Sequence, residues 1–404
     1  VRAIAAVSPL RNTVNVDATI DIAAVHEWNS MSTGQRNTRH ARVIRELSLT
    51  PSPQRADHRA ADSSPARSSH SPSEILMSTH WSIAFSIPTL VALCSFTGDK
   101  PSAPVKEHEI ALPGEGSWDY VTVDSAAGRV YVAHLTRIEV IDAKTNAVVG
   151  HVDGIDGAHG TAIVPELKRG FATSGKNNKL VVFDLESLKS TKEVETGVGP
   201  DATLYVSSVG EVWTMNHKGG TITCVDAKSL EVTKTIEVGG ALEFAVEDPA
   251  KGLVFVNVED KGLLVVVDAK KHEITAKHAT APGEEPAGLA IDRKNGLLFL
   301  GCGNKKLVVM QAATGKVVTA LDIGEHCDGV AFDPDTGNVF ASCRGASSVV
   351  HEKDASTFES IGSLEAGKTC AVDPKTHKLY ITTGTRNEKD SVKLVVYAPK
   401  PGSS

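Results

Sequence analysis

Seven segments of this 404-residue chain share one frame. Each opens with a short apolar run that ends on a marker residue, turns through a few polar residues and continues as a second β-branched run. The markers are Asp124 in VTVDSAAGRVYVA, Pro165 in IVPELKRGFATS, Val206 in YVSSVGEVWTM, Asp248 in VEDPAKGLVFVNV, Asp292 in GLAIDRKNGLLFLGCG, Asp333 in AFDPDTGNVFASC and Asp373 in AVDPKTHKLYITT. They recur at spacings of 41, 41, 42, 44, 41 and 40 residues. The clearest copy, Gly288 to Gly324, reads as four short strands separated by Asp/Asn/Gly turns. A lone four-stranded meander cannot bury both faces, so each copy needs its neighbours.

Seven four-strand units at this period predict an all-β, seven-bladed β-propeller. A two-sheet sandwich also has short strands, but it has no fixed period. The third strands repeat too, ending on Asp142, Asp184, Asp226 and Asp268 in IEVIDAKT, LVVFDLES, ITCVDAKS and LVVVDAKK. The seventh unit stops after VKLVVYAP and lacks a fourth strand. The missing strand is expected at the other end of the ring, where EHEIALPG (Glu107 to Gly114) precedes the first unit and matches VVTALDIG. Pairing it into the last blade would close the ring and remove two open edges.

The repeats assign residues 105–399 to the propeller and 400–404 to a tail. Residues 1–76 contain nine Arg and no Lys, and a Ser/Pro/His/Arg-rich run that cannot bury a core; they read as a disordered low-complexity extension upstream of a start at Met77. Residues 77–104 read as a signal-peptide-like segment and linker. The apolar stretch Trp81 to Cys94 is too short for a membrane span and fits a secretory h-region, though no Lys or Arg lies between Met77 and it. This predicts a periplasmic or secreted protein. Cys94 in LVALC stands where a lipid-acceptor cysteine would, with Leu93 in the place of the usual small residue. The net charge is −7. An acidic body argues against nonspecific nucleic-acid binding, which depends on neutralising phosphates. Five cysteines lie in the ring, with no CxxC pair and no zinc-type spacing. Cys327 could pair with Cys302 or Cys343, or all could be buried thiols.

The frame also locates candidate site residues. In a propeller the first strand of each blade lines the channel, and one face carries the loop before that strand and the loop after the second. Five residues before the markers stand Asp119, Gly160, Asp201, Glu243, Ala287, Asp328 and Lys368; His159 and Glu285 lie close by. After the second strands come His134, Lys176, Asn177, Asn216, His217, Glu259, Asp260, Asn304 and Arg344. Carboxylates converging on one channel repel unless they are protonated, hydrated or bound to a cation. Asp201, Glu243 and Asp328 are the expected metal ligands, and an oxygen set suits Ca²⁺ or Mg²⁺. Taken singly, each acid also fits a turn cap. No GxSxG, HExxH or phosphate-binding Gly loop is present.

HGTAIVPELKRGF, GPDATLY, LEFAVEDPAKGLVFVNVED, EEPAGLAID and AVDPKTHKLYI resemble the YVTN repeats of YncE-like seven-bladed propellers, a WD40-like repeat class. The resemblance covers the whole ring and implies a typically exported bacterial or archaeal protein. It carries over no catalytic residues. The reading favoured is a non-catalytic, monomeric binding or scaffold propeller that holds a small molecule or protein partner on its polar channel face. The candidate binding residues are Asp119, His134, His159, Asp201, Asn216, His217, Glu243, Glu259, Glu285, Asn304, Asp328 and Arg344. The alternative is a lactonase- or lyase-like enzyme with a divalent cation in the channel and His159 or His134 as general base.

Overall fold

The structure, a computed structural model, describes residues 101–400. The extension 1–76, the apolar segment around Trp81 to Cys94 and the tail from 401 lie outside the described residues. Seven antiparallel four-stranded sheets make a seven-bladed β-propeller. Six blades are continuous in sequence. Their first strands are Val121–Asp124, Ala158–Val164, Pro200–Val206, Leu242–Asp248, Pro286–Asp292 and Cys327–Asp333. The seventh blade is composite. Cys370–Val372, Leu379–Thr383 and Lys393–Ala398 supply three strands, and Val105–Ala111 pairs antiparallel with Lys393–Ala398 as the fourth. That strand sits slightly earlier than the Glu107 to Gly114 expected, and its register shifts between Lys106 and His108.

The marker aspartates hold the turns. Asp124, Asp292, Asp333 and Asp373 accept from backbone N–H groups two residues on, at 3.1, 2.8, 3.2 and 3.1 Å. The third-strand aspartates do the same: Asp142 accepts from Lys144 and Thr145, and Asp184 from Glu186 and Ser187. Each turn is thus an Asx turn, which is why Asp recurs there. The second blade differs, because its first strand ends at Val164 and Pro165–Leu167 forms a short 3-10 turn.

The layering follows from the hydrophobic pattern. Second and third strands are buried almost throughout, as in Glu211–Asn216 and Leu263–Asp268. They lie between neighbouring blades, and their side chains interlock across each interface: Phe171 and Val182 of the second blade pack with Val212 and Val225 of the third. Fourth strands such as Ser190–Glu195 face solvent. Glycines let the first strands approach one another. A Cβ at Gly288 would lie 2.7 Å from Gly329 C and Val330 N, and one at Gly329 would lie 2.8 Å from Thr369 Cα. The five cysteines among the described residues are buried free thiols; Cys327 and Cys343 face each other in register. Burial pushes the Cys302 and Cys370 thiols up to about 12, which keeps them unreactive. No helix among the described residues is long and apolar enough to cross a membrane.

Candidate functional site

Strand pairing brings the two sets of frame positions to one face. Pro200 pairs with Asn216, Leu242 with Val258, and Cys327 with Cys343, so each first strand begins beside the end of a second. A cavity of about 610 Å³ opens there, lined by Asp119, His159, Asp201, His217, Arg344 and Lys368 among others. A smaller cavity of about 140 Å³ shares Asp119, Asp201, Arg344 and Lys368 and adds Tyr120, Glu243, Glu259 and Asp328.

The charges on this face are arranged in pairs. Asp119 is buried, with Oδ1 2.8 Å from Lys368 Nζ and Oδ2 2.5 Å from His159 Nδ1. Burial opposes ionisation of Asp119, but Lys368 and the imidazole outweigh it and hold the carboxyl below its usual range. His159 Nδ1 is also 3.3 Å from Asp201 Oδ1. Its single N–H is given to Asp119, so Asp201 Oδ1 is left buried without a hydrogen bond. Burial, then the charges of Glu243 and Asp119, push Asp201 up to about 8. Next along the ring, His217 Nδ1 lies 2.9 Å from Glu243 Oε1. The pair is close but poorly aligned, and Nδ1 has no hydrogen-bond partner. The adjacent carboxylate nevertheless raises the imidazole to about 9, against the effect of burial. Glu243 Oε2 accepts from the Tyr120 hydroxyl at 3.3 Å, and the Tyr120 ring packs 4.4 Å from Phe244. Burial and the Glu243 charge raise the Glu259 carboxyl.

Several expected residues lie elsewhere. His134 lines neither cavity. Its side chain is 2% exposed, Nδ1 meets Glu139 Oε1 at 3.0 Å and Nε2 meets the Glu115 carbonyl at 2.7 Å, so neither nitrogen is open for use as a general base. Asn216 is wholly buried and donates to the Thr221 and Thr223 hydroxyls. Asn304 ties a loop, accepting from Glu284 N and donating to the Pro282 carbonyl. Glu285 is exposed at a left-handed φ of 51° and acts on the site through its charge on Glu259. The expected ligand trio is not assembled. Asp328 Oδ2 accepts from Arg344 at 2.9 Å, and the tight donor groupings on this face are Asp119, His159, Asp201 and Asp201, His217, Glu243. A third grouping, Glu211, Cys224 and His272, is occupied internally, since Trp213 Nε1, Thr233 and His272 all bond the Glu211 carboxylate.

Sequence reasoning left four contributors out of the site. Lys368 stood at the frame position but was not recognised as the partner of Asp119. Tyr120 directly follows Asp119. Lys218 directly follows His217, and Arg386 sits in the loop after the seventh blade's second strand, two positions beyond the one that Arg344 holds in the sixth.

No family model matches the chain, and no curated protein matches it by sequence. Solved structures share the architecture. A chain of the mitotic checkpoint complex crystal structure superposes with a TM-score of 0.63 at 13% identity, over 81% of this chain and 98% of that one. A chain of Kuenenia stuttgartiensis hydrazine synthase superposes with a TM-score of 0.60 at 12% identity, over 72% and 96%. At such identities the likeness establishes the fold and leaves function open.

Proposed function

We propose that the chain is an exported, YncE-like, non-catalytic binding propeller that holds a small anionic organic molecule on its channel face. The observation that carries this is the set of three rim cations, Lys176, Lys218 and Arg386. They line the 610 Å³ cavity, and no acidic side chain pairs with them among the described residues. Below them, Asp119 is paired with Lys368 and His159, and Glu243 with His217, so Lys176, Lys218 and Arg386 are the cations lining this cavity that are left without an acidic partner. Trp118, Leu135 and Pro200 give the cavity an apolar wall, and the Trp118 indole N–H has no acceptor. Its size falls within the range of roughly 300–1,000 Å³ common for small-molecule sites. Export is supported by the leader-like segment before the ring and by the repeat resemblance.

The test is thermal denaturation of the full chain at low salt against a panel of organic carboxylates and phosphates. A saturable rise with at least one class is expected, weakened by salt and lost in the Lys218→Met/Arg386→Met double variant. Identical melting with every anion, in parent and variant alike, would remove the proposal.

A further inference from the structure

We propose that Asp201, His217 and Glu243 bind one divalent transition-metal ion, of the class that takes mixed imidazole and carboxylate donors, beside the channel-face cavity. Two donor groupings share Asp201, and they differ in one respect. The grouping with Asp119 and His159 is already closed, because both Asp119 oxygens and the His159 Nδ1 proton are engaged. The grouping with His217 and Glu243 is open. It contains a buried carboxylate oxygen with no hydrogen-bond partner, Asp201 Oδ1, and His217 Nδ1, which meets Glu243 Oε1 at 2.9 Å without hydrogen-bond geometry. Orphaned buried polar atoms are uncommon in folded proteins and call for a partner. One donor atom from each of the three residues lies within 4.8 Å of the others. Around a zinc-sized ion with bonds of about 2.0–2.2 Å, neighbouring donors sit roughly 3.4 Å apart, so small side-chain rotations complete the geometry.

The donor chemistry selects the ion. Two carboxylates and an imidazole are too few oxygens for Ca²⁺ and the wrong set for octahedral Mg²⁺, whereas imidazole with carboxylate suits zinc and its neighbours. The third acid that an all-oxygen site would need, Asp328, is paired with Arg344. Tyr120 supports the arrangement from behind, since its hydroxyl bonds the second Glu243 oxygen. Three protein ligands leave a coordination position for a ligand oxygen, so this inference deepens the binding reading; the metal is nevertheless tested alone.

Untagged, chelator-treated full-length protein is titrated with Zn²⁺, Ca²⁺ and Mg²⁺ by calorimetry, and with Co²⁺ by visible absorption. One equivalent of Zn²⁺ should bind roughly 100-fold tighter than Ca²⁺ or Mg²⁺. Co²⁺ should give a d–d band that Zn²⁺ abolishes. His217→Ala and Asp201→Asn should each weaken Zn²⁺ by about tenfold or more, and His151→Gln, on the exposed strand Ala147–Asp153, should leave it within about threefold. Absence of Zn²⁺ binding, Ca²⁺ binding of equal strength, or a His151→Gln loss matching that of His217→Ala would overturn the assignment. If a variant fails to fold, the parent decides: a Co²⁺ band that Zn²⁺ displaces sustains the site, and its absence overturns it. Zn²⁺ binding with no response to any anion keeps the metal and removes the ligand reading; the reverse result removes the metal and keeps the ligand.

Discussion

Lys368 Nζ lies 2.8 Å from Asp119 Oδ1, and the neighbouring Thr369 hydroxyl donates to the Asp119 carbonyl at 2.6 Å. The two contacts join the last blade to the residues that lead into the first. The seam that closes the ring is therefore part of the channel-face site, and closure and site share one ion pair, made by half-buried Lys368 on the buried Asp119 carboxylate.

Lys368→Met should expose that dependence. It leaves the buried Asp119 carboxylate with His159 as its remaining cation and removes one of the two links across the seam, the Thr369 hydroxyl bond remaining. Breaking a buried pair by deleting one partner costs about 3 kcal/mol. Urea denaturation should show a loss of that order, and Lys368→Met/Asp119→Asn should recover part of it. Additive losses in the double variant would mean that the two residues do not act as a pair.

Deleting the closing strand should be more damaging. Val105–Ala111 covers the edge of Lys393–Ala398, and Ile110 and Leu112 are buried against Val392 and Leu394. Two aliphatic side chains account for roughly 3–6 kcal/mol of burial, and the bared edge becomes a template for aggregation. A chain beginning at Trp118 should aggregate or melt far below the parent, whereas one beginning at Val105 should melt within a few degrees of it. Equal solubility of the two chains would be incompatible with the composite blade.

The channel glycines make a sharper test of packing. Gly288→Ala drives a Cβ to 2.7 Å from the backbone of the next blade, which has no flexible side chain to give way. Overpacking of this kind costs typically 1–3 kcal/mol. Gly296→Ala meets nothing within 4 Å and carries the strain of φ +66° alone, about 1 kcal/mol. Chemical denaturation should rank Gly288→Ala as the worse; the opposite order would contradict the close approach of the first strands.

These relationships also show what the sequence makes legible. The fold is readable because each blade repeats a local device: a β-branched run, an Asp that caps its own turn, and a second run. Such devices act over three or four residues, so spacing reveals them. The channel positions follow from the same frame, which places Asp119, Asp201, Glu243 and Asp328 on one face. Pairing does not follow. Asp119 and Lys368 are 249 positions apart, and the ring alone brings them together. Asp328 is drawn off by Arg344, and Asp201 is left beside His217 and Glu243. His134 and Asn216 resemble loop residues in sequence, yet each ends a second strand and faces the blade interior. Their polarity serves Glu139 and the Thr221 and Thr223 hydroxyls, and local spacing does not distinguish that use from a ligand contact.

Glu352 and Asp292 form a carboxyl pair away from the channel. Glu352 Oε1 accepts from Asn295 Nδ2 at 2.9 Å, while Glu352 Oε2 and Asp292 Oδ2 are both buried without a hydrogen-bond partner. Burial, followed by the Asp292 charge, raises the Glu352 carboxyl to about 7. A raised carboxyl pKa works against the folded state as pH rises. Below about pH 4.3, the ordinary value for Glu, folded and unfolded chains both hold the proton and nothing is lost. Between there and pH 7 the unfolded chain releases the proton while the folded chain retains it, so stability falls. Above pH 7 both forms are ionised and the full cost is present. Asp354, whose carboxyl is lowered by the Ser356 hydroxyl and backbone N–H, titrates in the opposite sense at lower pH and is common to both proteins. Glu352→Gln cannot ionise, and its amide can donate to Asp292 as the protonated acid would. The variant should match the parent near pH 4.5, gain steadily to pH 7 and hold a plateau of no more than about 2 kcal/mol after solvent screening. Urea denaturation of both proteins at pH 5, 6, 7 and 8 measures the difference; curves that stay parallel across this range would show that Glu352 ionises as freely in the fold as out of it.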